Sequence, residues 1–349
     1  MILVCGEALV DLVPQPGGDL WRAVPGGGPA NTAVALARLG GRAALLCRLS
    51  GDAFGRRIRA HLTERGVDLG MAVAAEEPST VAVVGLDEHG AAEYSFYLDG
   101  TADRGWSPRE LPEPPEGTRA IHAGSLAAVL EPGAGHLLAW ARAHRERVVV
   151  AYDVNARPAV GLDRAAVAAW AARWMDAAHV VKVSEEDLAW LEPGRDPVAA
   201  AERWMVRHGL DLLLLTRGGD GAVALSAHWG DRVRVPGVRV PVRDTVGAGD
   251  TFGAAVLARL SELGYLGGPG ELATLGPGAA REALEFAAAA AALACTAEGA
   301  DPPDRDRVER LLRNTRGAVS VACPSGTPVV GAPIASGHDG GSTGPDQGL

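Results

Sequence analysis

Lysine is almost absent from this 349-residue chain, in which Lys182, inside the apolar run HVVKVS, is the sole example. No GxxxxGK segment followed by Ser or Thr exists. Phosphate-loop enzymes and protein kinases both set a lysine against nucleotide phosphates, so phosphate chemistry here must rest on backbone N–H groups, arginine and metal. No GxGxxG follows the first apolar run; Glu7 stands there instead, which argues against a dinucleotide oxidoreductase. Cys5, Cys47, Cys295 and Cys323 show neither CxxC pairing nor metal-ligand spacing, which reads as reduced thiols, mostly in core segments, of a cytoplasmic protein. The opening MILVCGEALV lacks the basic start and small-residue cleavage site of a secretory signal. The most apolar stretch, Ala287 to Ala297, falls far short of the roughly 20 apolar residues that a membrane span needs. Basic clusters are missing too: a net charge of −10 with scattered arginines excludes a nucleic-acid partner and favours a small molecule.

What is present is enough apolar content, 47%, to fill a sizeable core. Short apolar runs recur at ILVCG, AALLCRL, AIHAG, VVVAYDV, HVVKVS and DLLLLT, with alanine-rich helical windows between several of them. That alternation predicts an α/β fold with a mostly parallel sheet covered by helices. The helical windows are 29–39, 56–65, 133–144, 164–177, 196–208, 251–263 and 281–297. Two stretches break the rhythm: 12–24 is polar and turn-rich, and 80–86 and 91–97 flank DEHG, a hairpin loop. Both read as a small β element projecting from the main domain as a lid. From Gly317 onward Gly, Pro and Ser dominate, too little apolar surface to offset chain entropy, so 317–349 is expected to be a disordered tail.

The segment with the most chemistry is RDTVGAGDTFGAAVLARL, 243–260. Gly247, Ala248 and Gly249 precede an acid and an alanine-rich helical window, so their N–H groups can point outward at a helix start and form an anion hole. A transferring phosphoryl group gains charge on its oxygens, which preorganised donors stabilise, and Asp250 would stand there as base. For GAGD alone, a local reading competes: Asp250 as an N-cap and the glycines as a tight turn. PGGGPANTAVALARLGG, 25–41, offers Gly26 and Gly27 for close backbone approach, and Asn31 as donor and acceptor for sugar hydroxyls.

DTVGAGDTF and PGGGPANTAVALARLGG together resemble the two signatures of the ribokinase-like (PfkB) carbohydrate kinase family, and further likeness extends over roughly residues 1 to 312. The resemblance implies a ribokinase-like three-layer sandwich with a mostly parallel central sheet, a kinase domain at 1–316, and a β lid from about 12–24 and 73–103. It implies ATP-dependent phosphorylation of a sugar hydroxyl, with Mg²⁺ and K⁺ as ions, Asp250 as general base, and a homodimer through the lid. By resemblance, Asp11 in GEALVDLVP binds substrate hydroxyls, and YDVNARP, 152–158, is similar to an element of the fructokinase and ketodeoxygluconate kinase branches. Val154 replaces that element's usual proline, while Arg157 could pair with a phosphate or carboxylate, or form a structural salt bridge. EYSFYLDGTAD, 93–103, resembles the aromatic segment over the sugar and brings in Tyr97, with Leu98 where many relatives carry arginine.

KVSEEDLAWL, 182–191, is similar to the family's magnesium-proximal element, with Ser184 toward ATP and Asp187 toward Mg²⁺ through water. Helix capping by Ser184 and Asp187 is an equally good local account. LLLLTRGGDGAVAL, 212–225, resembles the nucleotide-binding strand and loop, giving Thr216, Gly218, Gly219 and Gly221 with Gly249 and Ala288 as ATP contacts; as a bare pattern GGDG is a hairpin turn. Asp244, Val246, Ala294, Ala297 and Gly299 match where relatives hold a monovalent cation. Fructokinase is the favoured activity, with 2-keto-3-deoxygluconate kinase or another sugar or nucleoside kinase as alternatives, and a sugar-binding regulatory protein on the same fold as the non-enzyme reading.

Overall fold

The computed structural model describes residues 1–15, 17, 19–86 and 92–321. Residues Met1–Leu312 form one compact unit; the second, Arg313–Leu349, is described to residue 321. The strands are β1 (Ile2–Cys5), β2 (Leu9–Pro14), β3 (Trp21–Gly26), β4 (Ala43–Leu46), β5 (Arg48–Ser50), β6 (Val73–Ala75), β7 (Val81–Leu86), β8 (Ala92–Tyr97), β9 (Ala120–Gly124), β10 (Val149–Asp153), β11 (Val180–Ser184), β12 (Leu212–Thr216), β13 (Ala222–Leu225) and β14 (Val233–Val235). The helices are α1 (Gly28–Arg38), α2 (Ala53–Glu64), α3 (Gly133–His144), α4 (Arg164–Met175), α5 (Glu185–Leu191), α6 (Pro197–His208), α7 (Ala248–Glu262), α8 (Pro269–Leu272), α9 (Pro277–Ala294) and α10 (Arg305–Val321).

An eight-stranded sheet runs in the order β14-β13-β12-β11-β10-β9-β1-β4, parallel from β12 to β4 and antiparallel at β13 and β14. Its central strands are apolar because both faces are covered. Alternate residues of β1 show this directly: Ile2 and Val4 enter a core shared with α1, α2, α7 and α9, while Leu3 and Cys5 enter another shared with α3, α4, α5 and α6. Each fully buried Leu, Ile or Val contributes about 1.5–3 kcal/mol, so the two layers of helices are held by the same strands. In the second core, Trp174 stacks on Tyr152 at 5.5 Å and donates its indole N–H to Ala128 O at 2.8 Å. This is the three-layer α/β sandwich that the sequence leads one to expect.

The lid is a four-stranded sheet, β3-β2-β7-β8, in which β2 and β3 are antiparallel from Leu9↔Gly26 to Pro14↔Trp21. The expected lid range needs one correction: β6 lies outside this sheet and pairs with β5 instead. AALLCRL is correspondingly two strands, because the chain leaves the main sheet at Cys47 and redirects β5 toward β6. The DEHG loop and Cys323 lie outside the described residues. Helix α10 continues to Val321, past the boundary expected at Gly317, and the rest of the tail lies outside the described residues. Among the described residues, no helix is long and apolar enough to cross a membrane.

Candidate active site

Helix α7 begins at the glycine turn. Gly247 is its N-cap in the left-handed conformation, φ 74°, and makes no side-chain cap. Asp250 lies in the first turn and is not the N-cap, so the purely local reading of GAGD does not describe it. Its side chain is buried, 7% exposed, and its Oδ2 accepts a hydrogen bond from Asn31 Nδ2 at 2.9 Å. Burial pushes the Asp250 carboxyl up to about 6; the Asn31 hydrogen bond opposes this, Asp153 adds to the rise, and Lys182 and Arg157 oppose it. The carboxylate is therefore ionised at neutral pH and still a fair proton acceptor. The turn is narrower as an anion hole than GAGD implies. Ala248 N–H goes to Thr245 O at 3.2 Å and Thr251 N–H to Gly247 O at 2.8 Å. Between them stand the amides of Gly249 and Asp250, at the end of a helix that supplies no acceptors of its own there.

The expected sugar-side residues converge. Asp11, on β2, has its carboxyl raised to about 6 by burial, against the pull of Arg157, with Asp250 adding to the rise. Asp11, Arg157 and Asp250 thus lie near enough for their charges to act on one another. Gly26, paired across the lid from Leu9, leaves room for Asp11: a Cβ there would lie 2.2 Å from Asp11 Oδ2. Gly27, the N-cap of α1, passes so close to Glu7 that a Cβ would meet Glu7 O at 2.8 Å. Asn155 and Ser125 carry positive φ, 37° and 57°, and both border Gly28, the first residue of α1. Arg157 Nη1 donates to Ala156 O at 3.1 Å. Tyr97 is 64% exposed. Tyr94, an odd number of positions earlier and so on the other face of β8, is half-buried, and its hydroxyl pKa is raised by burial and by Asp11. By register Asp11 aligns with Ala82 and through it with Phe96, so Phe96 and Tyr94, whose rings stack at 5.9 Å, share the face of the Asp11 side chain, and Tyr97 is on the other face.

On the other side of the turn, Ser184 and Asp187 form a capping box at α5. Asp187 Oδ2 accepts from Ser184 Oγ at 2.7 Å and Oδ1 accepts from Ala156 N–H at 3.1 Å. The capping account therefore describes Asp187, and its carboxylate ties α5 to the segment after β10. Among the described residues, no group of three or more His, Cys, Asp or Glu side chains could hold a metal ion. Thr216 ends β12 opposite Ala222, and Gly218–Asp220 makes the hairpin turn into β13, closed by Arg217 N–H to Gly221 O at 2.8 Å. Added Cβ atoms at Gly218 and Gly219 would meet nothing within 4 Å, so the side-chain faces of both are open, while Gly219 O packs against Gly237. Ala288 is buried on α9. Asp244 staples two loops, accepting from Val246 N–H at 3.0 Å and Gly299 N–H at 2.8 Å. The carbonyls of Ala294 and Gly299 already accept from Ala297 and Asp301, so these five residues form a joined loop pair whose oxygens are partly committed.

Sequence reasoning missed three groups. Lys182 is clamped on Asp153 at 2.9 and 2.8 Å, with both side chains buried. A lone lysine in an apolar strand demands a counter-ion, and the acid ending the neighbouring apolar run was the available signal. Tyr94 could have been found from the alternation of β8. Glu7, 1% exposed, accepts from the N–H groups of Leu126 and Ala127 at 3.4 and 3.0 Å, and buried Asp103 accepts from Ala8 N–H at 3.2 Å. Neither acid had a pattern to mark it, because their partners, backbone amides together with the side chains of Ser125 for Glu7 and Thr80 for Asp103, are remote in sequence.

A family model described as pfkB family carbohydrate kinase matches residues 1–307. A fructokinase of Klebsiella pneumoniae is 36% identical over 315 residues, 89% of this chain and 99% of that protein. Among solved structures, fructokinase from Vibrio cholerae O395 with fructose, ADP and calcium ion bound is similar with a TM-score of 0.78 at 30% identity, covering 89% of this chain and 98% of that one. Aminoimidazole riboside kinase from Salmonella enterica, complexed with aminoimidazole riboside and an ATP analog, has a TM-score of 0.77 at 29% identity, covering 89% of this chain and 99% of that one.

Proposed function

The chain belongs to the pfkB family of carbohydrate kinases and is a sugar phosphotransferase, and from that premise we propose that it transfers the γ-phosphoryl group of ATP to a hydroxyl of fructose, with Asp250 as the base. The observation that carries this reading is the buried Asp250 carboxylate at the start of α7, held by Asn31 and within the electrostatic influence of Asp11 and Arg157. The hydroxyl to be phosphorylated would hydrogen-bond to Asp250, which takes its proton as the new O–P bond forms. Asp11 accepts from other sugar hydroxyls and so fixes which one reaches Asp250. The Gly249 and Asp250 amides stabilise charge on the phosphoryl oxygens. The Gly218–Gly219 backbone takes the nucleotide. Mg²⁺ bound to ATP would neutralise phosphate charge.

The test is a substrate panel with Mg·ATP, following ADP release for D-fructose, 2-keto-3-deoxygluconate, ribose and aminoimidazole riboside. The expected order puts the kcat/KM of fructose at least tenfold above the others. A higher value for the riboside or the sugar acid would reassign the acceptor, and no stimulation by any of them would favour the regulatory sugar-binding protein.

The raised pKa of Asp250 adds a second expectation. The base works only when ionised, so kcat/KM for fructose at saturating Mg·ATP falls about tenfold per pH unit below about pH 6. A rate flat down to pH 5 would contradict a base with that pKa.

A further inference from the structure

The single lysine lies directly beneath the catalytic turn. Lys182 and Asp153 are paired neighbours on β11 and β10, and the ammonium sits between both Asp153 oxygens. Its stem and tip run under the first turns of α7: a Cβ on Gly249 would lie 3.3 Å from Lys182 Nζ, and one on Gly253 3.5 Å from its Cδ. The glycine after Ala248 thus serves this approach as well as the outward amides. In so dry a place an ammonium left to itself would take the nearest carboxylate, and beyond Asp153 the one above it belongs to Asp250.

We propose that Asp153 is a positioning residue for the phosphoryl-transfer reaction: by gripping Lys182 with both oxygens, it keeps that ammonium from pairing with Asp250 and leaves the base free for the substrate hydroxyl. The inference rests on the reading of Asp250 as base. Burial alone would weaken the hold of Lys182 on its proton; Asp153 outweighs it, and the lysine pKa is raised, so the ammonium keeps its charge. The other groups facing this space come from several elements. Asp11 and Arg157 flank Asp250 on the sugar side, Asn31 approaches from α1, and Asp187 on α5 adds to the field at Lys182. His122 on β9 is buried, and burial and the Lys182 charge push it down to about 3, so it is neutral and offers no counter-charge.

The decisive experiment compares kcat/KM against pH, at saturating Mg·ATP and with the best acceptor from the panel, for wild type, Asp153→Asn, Lys182→Met and the double variant Asp153→Asn/Lys182→Met. Freed from its partner, Lys182 turns to Asp250, so in Asp153→Asn the acidic limb moves down by about one pH unit and kcat at pH 7.5 falls more than KM for ATP changes. Removing the ammonium as well returns the limb toward its wild-type position. Because the Asp153 charge itself raises the Asp250 pKa, its loss alone would also move the limb. The change from Asp153→Asn to the double variant is therefore expected to exceed the change from wild type to Lys182→Met. Equal changes, an unmoved limb, or a double variant whose limb stays with that of Asp153→Asn overturn the proposal. Should Asp153→Asn not fold, Asp153→Ser, with room for a water at the ammonium, carries the same expectations. Asp250→Asn run in parallel separates the two failures: retained turnover there sinks the base assignment itself, whereas an inactive Asp250→Asn with an unmoved limb in Asp153→Asn sinks only the role given to the pair.

Discussion

Asp250→Asn is expected to lower turnover by about 10²–10⁴-fold and to leave the protein folded. The substitution is nearly isosteric, so the amide oxygen still accepts from Asn31 Nδ2, and the turn at Gly247 is untouched. What is lost is the proton acceptor. The stability change has a definite sign. Asp250 has a folded-state value of about 6 against an ordinary 3.8, so the folded protein binds more protons between about pH 4 and 6. Stability from this group is therefore lost as pH rises through that window and stays lowered above it. Removing the buried charge relieves a cost on the order of 3 kcal/mol at pH 7.5, and the variant should melt at or above the wild-type temperature. Measurements of ADP release and a thermal melt at pH 7.5 and pH 4.5 decide this. Turnover within tenfold of wild type would remove Asp250 from the mechanism, and a large drop in melting temperature would mean that its carboxylate stabilises the fold.

Gly26→Ala is the second large effect, and it acts on the sugar alone. The new methyl would sit 2.2 Å from Asp11 Oδ2 and 3.1 Å from its Cγ. No contact of that length survives, and the short Asp11 side chain must leave its rotamer. The lid strands can stay paired, since neighbouring Asp11↔Val24 and Leu9↔Gly26 hydrogen bonding involves only backbone. KM for the sugar is expected to rise about 10–100-fold, the equivalent of one or two hydrogen bonds to a charged group, while KM for ATP changes less than threefold. Asp11→Asn should reproduce most of the sugar effect with wild-type lid packing. Unchanged sugar KM in both variants would show that Asp11 does not touch the substrate, and an equal rise in both KM values would point to general distortion.

Much of this architecture was legible in the chain. The apolar runs at Ile2–Cys5, Ala120–Gly124 and Leu212–Thr216 became central strands, because a sheet covered on both faces needs uninterrupted apolar residues. The start of α7 could be read from Gly247 and the small residues after it. The hairpin at GGDG announced the antiparallel β13, whereas the departure of β5 at Cys47 and the length of α10 were not legible, since each depends on which distant strand or layer covers it.

The order of residues by itself determined the fold class and the family, the acid at the start of a glycine-led helix, and the absence of any lysine arranged for a phosphate loop. Short-range spacing suffices for these, because helix starts, close backbone approaches and strand periodicity are local. Only the tertiary structure decided that Tyr94 and Phe96, and not Tyr97, share the Asp11 face of the small sheet, that Asp187 spends its carboxylate on a cap, and that Lys182 lies clamped under Gly249. Those outcomes depend on the face a side chain presents and on the charge it meets in a buried space, and both are set by strands far apart in the chain coming within a few ångströms of one another.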